Sequence, residues 1–228
     1  IMKKVIILFF TIISNLSNAQ VKYHFDYALL YEEMPIKEKP TTITYLINSN
    51  QNNYFMGVFK KNDSINLNIH FSDYNGMFSR SLCEKKMFFK AETINNDCSS
   101  VFKGTTIKKD KLDSYSFEKL DDTLIKDTMH YHFVIKSLKS KKYQKRNNIV
   151  SYHFIIDKYS PQFMPFFYHH TVFSVWKENP IVPNGLIKMI YYTDFEEKIT
   201  GKIALKKVVK TDKYLTIPEE CDYTKCPK

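Results

Sequence analysis

Apolar and polar residues alternate with period two along most of the chain. In Ser64–Ser72 the apolar positions Ile65, Leu67, Ile69 and Phe71 are separated by Ser64, Asn66, Asn68, His70 and Ser72, the pattern of a strand with one dry and one wet face. The same alternation places Tyr23, Phe25, Tyr27, Leu29 and Tyr31 on one side of a first strand, and Ile43, Tyr45 and Ile47 on one side of a second. Tyr131, Phe133 and Ile135 mark a later strand, and Val150, Tyr152, Phe154 and Ile156 another. Asn50–Asn53, Asn75-Gly76, Asn95–Asp97 and Asn147-Asn148 separate such runs. Asn tolerates the left-handed backbone of tight hairpins, so these segments read as turns. The pattern predicts a meander of roughly nine to eleven antiparallel strands.

One segment departs from this rhythm. Between Pro161 and Trp176 the residues Phe163, Met164, Phe166, Phe167, Tyr168, Val172, Phe173, Val175 and Trp176 crowd together, and Pro165 prevents one uninterrupted helix from Pro161. It reads as a short helix or lid laid against the apolar face of the sheet. No fixed-period repeat and no Pro/Ser linker divides the chain, so residues 20–228 are expected to form a single β-rich domain with a Cys-containing C-terminal tail. Five glycines in all are few for the corners of a tightly turned small barrel. The expected fold is therefore mainly β, an antiparallel curved sheet or incomplete half-barrel.

Residues 1–19 change the picture of where such a sheet works. Met2-Lys3-Lys4, the apolar run Val5–Ile13 and a polar stretch ending Ser17-Asn18-Ala19 read as a secretory signal cleaved after Ala19. The apolar run is too short for a spanning helix, which needs about 20 such residues. The first cysteine is Cys83, so no acyl-anchored cysteine follows the cleavage point. These features predict an exported protein, periplasmic or secreted, without a transmembrane segment after cleavage.

The 228 residues carry a formal charge of +10, which becomes +8 when the signal and its two lysines are removed. Only Arg80 and Arg146 are arginines. Nucleic-acid readers draw on the planar arginine fork, so specific nucleic-acid recognition is not expected. The densest basic cluster is Lys136, Lys139, Lys141, Lys142, Lys145 and Arg146, without an intervening acid. It is either a solvated tip or a surface for an anionic membrane or acidic glycan.

The four cysteines suit an oxidising compartment. Three pairings are possible; proximity in sequence favours Cys83–Cys98 and Cys221–Cys226. Zinc at the cysteines is not expected, because neither Cys-x-x-Cys pairs nor nearby histidines are present. Among the histidines, His130 and His132 would share one face of a strand and could offer two imidazoles to one ion. No third ligand can be named, and the adjacent His169 and His170 diverge. Asp121-Asp122 and Glu196-Glu197 read as hydrated turn acids. No nucleophile elbow, His-Glu-x-x-His helix, phosphate loop or dinucleotide fingerprint occurs. Catalytic residues, metal and cofactor are therefore all expected to be absent, and a non-enzymatic role is the simplest reading.

Toward the C-terminus the order Pro183-Asn184-Gly185-Leu186-Ile187, a strand through Tyr192, a turn, Gly201–Lys210 and Tyr214-Leu215-Thr216-Ile217-Pro218 resembles the close of the GLPGLI family. It also resembles LolA-like, lipoprotein-carrier-like envelope proteins. The resemblance covers roughly Pro183–Pro218, and this chain has Pro-Asn-Gly-Leu-Ile where the first family has Gly-Leu-Pro-Gly-Leu-Ile. It implies a half-barrel with an apolar concavity covered by helices or loops, where carriers hold acyl chains. Alternation and the aromatic segment nominate Phe133, Phe154, Phe166, Phe167, Phe173 and Trp176 as the lining. Two functions lead, with a secreted metal-assisted hydrolase using His130 and His132 as a lesser third: a cell-envelope protein holding a lipid or other hydrophobic small molecule, or an interaction protein with a filled core. The second would use an edge strand or the basic surface of Lys139, Lys141, Lys142, Lys145 and Arg146 to meet an envelope protein or acidic glycan.

Overall fold

The computed structural model describes residues 20–35, 39–60 and 65–225. The proposed signal, residues 1–19, and Cys226 lie outside them. Among the described residues twelve strands form one curved sheet: β1 (Gln20–Pro35), β2 (Thr41–Asn48), β3 (Gln51–Lys60), β4 (Asn66–Asp73), β5 (Met77–Glu84), β6 (Thr93–Asn95), β7 (Val101–Lys103), β8 (Tyr115–Ile125), β9 (Thr128–Ser137), β10 (Ser151–Ile156), β11 (Ile187–Thr193) and β12 (Ile199–Pro218). Their spatial order is β7-β5-β4-β3-β2-β1-β12-β11-β10-β9-β8. β6 stands off this path and pairs in parallel with the end of β12, a departure from the antiparallel meander read from the sequence. Four short α-helices among the described residues accompany the sheet: α1 (Lys85–Lys90), α2 (Lys109–Leu112), α3 (Lys141–Arg146) and α4 (His170–Glu178).

The spine is the pair β1·β12, in register from Gln20 opposite Pro218 to Pro35 opposite Gly201. Two irregularities interrupt it. Phe25 and Tyr27 face Lys213 and Lys210, and Leu30 and Tyr31 face Lys207 and Leu205, so β12 carries an extra residue each time. Such bulges bend a strand and increase its twist, and β1 turns over at the first one. Tyr23 and Phe25 enter one core, whereas Leu29 and Tyr31 enter another on the opposite face. This corrects the expectation that all five alternating residues share a side. Asp26 marks the switch: its carboxylate accepts from the Ser49 amide at 2.7 Å and the Ser49 hydroxyl at 2.5 Å, which holds the β2–β3 turn against β1.

The sheet thus has a core on each face instead of a single one. On β2, Tyr45 and Ile47 join the first while Leu46 joins the second; on β3, Phe55 joins the first while Tyr54 and Met56 join the second. Successive side chains of a strand point to opposite faces, and the stretches Tyr45–Ile47 of β2 and Tyr54–Met56 of β3 are therefore continuously apolar. The first core lies in the concavity of β8–β12 with β1–β3 and is covered by residues 161–182, including α4. The second is closed by Phe88 of α1, Ile94 of β6, Val101 of β7 and Leu215 and Ile217 of β12.

The pairing of β6 with Tyr214–Thr216 also decides the disulfide. It brings the turn after β6 beside the chain after Pro218, and Cys98 bonds Cys221 with Cα atoms 5.6 Å apart. The local pairings expected from sequence proximity are corrected accordingly. Cys83 remains a thiol on β5, with burial pushing its pKa up.

Candidate ligand and histidine sites

The aromatic residues nominated as a cavity lining are brought together, and they pack on one another. Phe154 meets Phe167 edge to face at 5.3 Å, Phe167 meets Trp176 at 5.7 Å, and Trp176 meets Phe173 at 6.1 Å. Phe166 fills the space beside Tyr45 and Phe55 at 5.1 and 5.2 Å. Phe133, Phe154, Phe166, Phe167 and Phe173 are buried, and Trp176 donates its indole N–H to the Val182 carbonyl at 3.1 Å. The covering segment is also tied to the sheet by backbone polar groups, which would otherwise be stranded without water. The Met164 amide donates to the Ser49 carbonyl, Asn52 Nδ2 to the Pro165 carbonyl, and the Tyr74 hydroxyl to the Phe167 carbonyl, at 2.9, 3.0 and 2.7 Å.

Two hollows of mixed polar and apolar lining border the concavity. A hollow of about 250 Å³ at its edge is lined by Lys111, Tyr115, Tyr152, His169 and Asn147–Val150 among others. Phe173 borders a second, of about 270 Å³, with Tyr74, His170 and Lys177. Beside the first hollow, α3 starts at Ser140, whose hydroxyl accepts from the Tyr143 amide, and it exposes Lys141, Lys142, Lys145 and Arg146 with Lys139 just ahead. Lys136 differs from these: it pairs with Glu118 at 2.5 Å.

The opposite face carries a larger groove, about 580 Å³, that alternation did not single out. Two rows of cross-strand neighbours make its floor: Leu46–Ala28–Val209 and Thr44–Leu30–Lys207. One wall is the end of α1 with Phe89, Lys90, Ala91 and Glu92; the other is Lys210–Lys213 of β12. α1 hangs over the groove because Phe88 is its buried anchor while Phe89 is 67% exposed. Lys213 Nζ donates to the carbonyls of Phe88 and Ala91 at 2.8 and 2.6 Å, satisfying groups that a helix C-terminus leaves unpaired. Four lysines, Lys90, Lys207, Lys210 and Lys213, face two acids, Glu92 and Asp212, around this apolar floor. The sequence signal was faint: Met87-Phe88-Phe89 between lysines, and the small Ala28 within β1.

The histidines separate differently from their spacing. His130 turns inward toward Asp157, its Nδ1 3.9 Å from the carboxylate, and burial holds its pKa down. His132 instead reaches across the sheet: its Nε2 lies 3.1 Å from His153 Nδ1 and 3.1 Å from the Tyr191 hydroxyl. The pair expected at His130 and His132 is thus replaced by a diagonal pair on β9 and β10, which register explains, since His153 faces Val134 and His132 faces Ile155. Burial lowers the pKa of both, that of His153 to about 4, with the His132 ring adding to the effect. His170 stacks on Tyr74 at 4.8 Å and His169 lies beside Tyr152 at 5.7 Å, so these neighbours diverge.

No protein-family model and no curated protein matches the chain. Among solved structures, an uncharacterized conserved protein from Thermus thermophilus superposes with a TM-score of 0.44, 10% identity, and coverage of 94% of this chain and 89% of that one. A putative outer membrane lipoprotein-sorting protein domain from Vibrio parahaemolyticus superposes with a TM-score of 0.31, 8% identity, and coverage of 82% and 85%. At these values neither carries a functional argument. The resemblance to GLPGLI proteins gains no support from the family comparison and rests on Pro183–Pro218 alone.

Proposed function

We propose that this is an exported, non-enzymatic envelope protein that holds an amphiphile, an apolar chain with an acidic head, in the groove beneath α1. The observation that carries the reading is the groove itself: about 580 Å³ over a floor of Ala28, Leu30, Leu46 and Val209, with lysines on both rims. That volume is within the range of small-molecule sites, which join apolar lining to a few placed polar groups. Apolar floor exposed to water is unfavourable at about 25 cal/mol per Å², and an acyl chain would relieve it. Lys90, Lys207 and Lys210 suit a carboxylate or phosphate head at the rim. The concave aromatic cluster then serves as the packed core that keeps the spine rigid. Export is supported by the signal-like residues 1–19 and by the Cys98–Cys221 bridge, because disulfides persist outside the reducing cytosol.

The test is native mass spectrometry of residues 20–228 purified without detergent, followed by organic extraction. A stoichiometric lipid adduct is expected, and it should be lost in Leu30→Asp and Phe89→Asp while the far-ultraviolet spectrum is retained. A clean mass for the wild type, or an adduct that both variants keep, would remove the groove as the site. The exposed basic face of α3 favours a second reading, a protein or glycan partner of acidic character. Reversing Lys141, Lys142 and Lys145 to Glu should then abolish that partner's binding, and unchanged affinity would dismiss it.

A further inference from the structure

The hollow of about 250 Å³ at the edge of the concavity gathers hydrogen-bond donors and no acid. Lys111 of α2, Tyr115 at the start of β8, Tyr152 of β10 and the first turn of α4 wall it, and neither Asp nor Glu lines it. The groove beneath α1 differs, since Glu92 and Asp212 stand there among the lysines. α4 opens into the hollow without a cap. His169 occupies the N-cap position in extended backbone, φ −107° and ψ 121°, and makes no side-chain bond to the first turn. Its carbonyl accepts from the Phe173 amide at 3.1 Å, which starts the helical ladder. The Thr171 and Val172 amides precede that bond and have no acceptor among the described residues. Such N–H groups form the positive end of the helix dipole.

A second observation comes from a side chain. Thr171 is only 8% exposed, and its hydroxyl bonds to no described residue yet is not sealed within the packing. Thr171 lines the hollow, so its unused polar atom opens there. A nearly buried hydroxyl without a partner is unfavourable, and a ligand oxygen would satisfy it. The phenols of Tyr115 and Tyr152 also bond to no described residue, and burial raises the pKa of both, so they remain O–H donors. Burial, and then the Lys111 ammonium, hold the His169 pKa down. Lys111 itself forms no ion pair with a described residue.

We propose that the mouth of α4 is a binding site for a tetrahedral oxyanion of the phosphate class, received by the Thr171 and Val172 amides and the Thr171 hydroxyl, with Lys111 balancing its charge. Helix N-termini hold such groups because free amides and the dipole both favour negative charge. The donors select the class of ligand. A carboxylate offers two oxygens, whereas a phosphoryl group offers three, and here two amides, three hydroxyls and an ammonium surround one hollow. Asn147 and Asn148, which follow the basic α3 directly, form the other lip. The lysines of α3 therefore add attraction at longer range. The site lies on the opposite sheet face from the groove beneath α1 and does not rest on it.

The experiment is a titration of ¹⁵N-labelled residues 20–228 with sodium phosphate at constant ionic strength, followed through the Thr171 and Val172 amide resonances, with sodium chloride as the reference. Saturable shifts of both amides are expected with phosphate and not with chloride. Thr171→Val, which keeps the shape of the side chain, should weaken binding by about tenfold or more, as for a hydrogen bond to a charged group, and Thr171→Ser should restore it. Lys111→Gln should weaken it severalfold; Lys111 is exposed, so this variant keeps the fold. Lys202→Gln removes the same charge from an exposed position on β12 and should leave the affinity unchanged. Phosphatidylcholine vesicles with and without phosphatidic acid then separate the sources. Retention on phosphatidic acid that Thr171→Val abolishes identifies a lipid-borne phosphate, and phosphate binding without such retention identifies the free ion or a small ester. Shifts that fail to saturate, that chloride reproduces, or that persist at unchanged affinity in both Thr171→Val and Lys111→Gln overturn the assignment.

Discussion

Gly185 sits at φ +153°, and a Cβ there would approach the Asp157 carbonyl oxygen to 2.5 Å and Ile156 Cγ2 to 2.7 Å. Its amide donates to the Phe163 carbonyl at 2.7 Å, so it ties the covering segment to the start of β11. Gly185→Ala should destabilise by about 1–3 kcal/mol from backbone strain alone, with more from the clash; urea midpoints at constant slope measure it. An unchanged midpoint would mean the turn relaxes freely. A second prediction belongs to Lys213, whose ammonium serves two carbonyls at the end of α1 and whose pKa burial pulls down. Lys213→Met leaves those acceptors to water and should cost about 1–3 kcal/mol. Faster hydrogen exchange at the Ala91 amide, which donates to Met87 at 2.9 Å, would report the local loosening.

At the scale of elements, α1 is a short helix held by one buried ring. Phe88→Ala should destabilise by about 3–5 kcal/mol, whereas Met87→Ala, at an exposed position, should be close to neutral; equal effects would refute the anchoring role. The strands were the legible part of this protein, because a half-buried strand writes its period directly into the sequence: Leu67, Ile69 and Phe71 are buried as the alternation implies, while Ile65, one residue before β4, is exposed. Three features were not legible, each for a physical reason. The turn-over of β1 at Asp26 leaves no mark, since a bulge on β12 changes which face Tyr27 meets without changing the pattern of β1. The β8–β9 hairpin bends at Lys126 and Asp127, both at positive φ, where glycine or asparagine is the usual signal. The groove and the His132–His153 pair depend on diagonal neighbours across strands, and register between distant segments is not written in either segment alone. The aromatic residues nominated as a lining do cluster, but composition cannot distinguish a lined cavity from a filled core.

For the molecule as a whole, the Cys98–Cys221 bridge closes a span of 123 residues, which in the chain-entropy model stabilises by about 5 kcal/mol. Cys98→Ser should lower the denaturation midpoint by a corresponding amount, and a midpoint equal to that of the oxidised protein would contradict the entropic account. Alkaline pH gives a second global test. Burial raises the pKa of Tyr31, Tyr45, Tyr168 and Tyr192 above the ordinary value of 10.0. The unfolded chain releases these protons near pH 10 and the folded one retains them, so stability is whole below pH 10 and falls as pH rises beyond it. Phenolate absorbance of these residues should therefore appear only together with loss of the β circular-dichroism signal; ionisation ahead of unfolding would show that the rings are accessible. The β1·β12 spine has a consequence in time. The middle of the sheet joins residues 20–35 to residues 201–218, so during synthesis the two halves of the sheet each wait with a bare edge until almost two hundred residues have emerged. Pairing so distant in sequence is slow to form, and until it forms each half, already paired within itself through local hairpins, presents an open strand edge to which another chain can add.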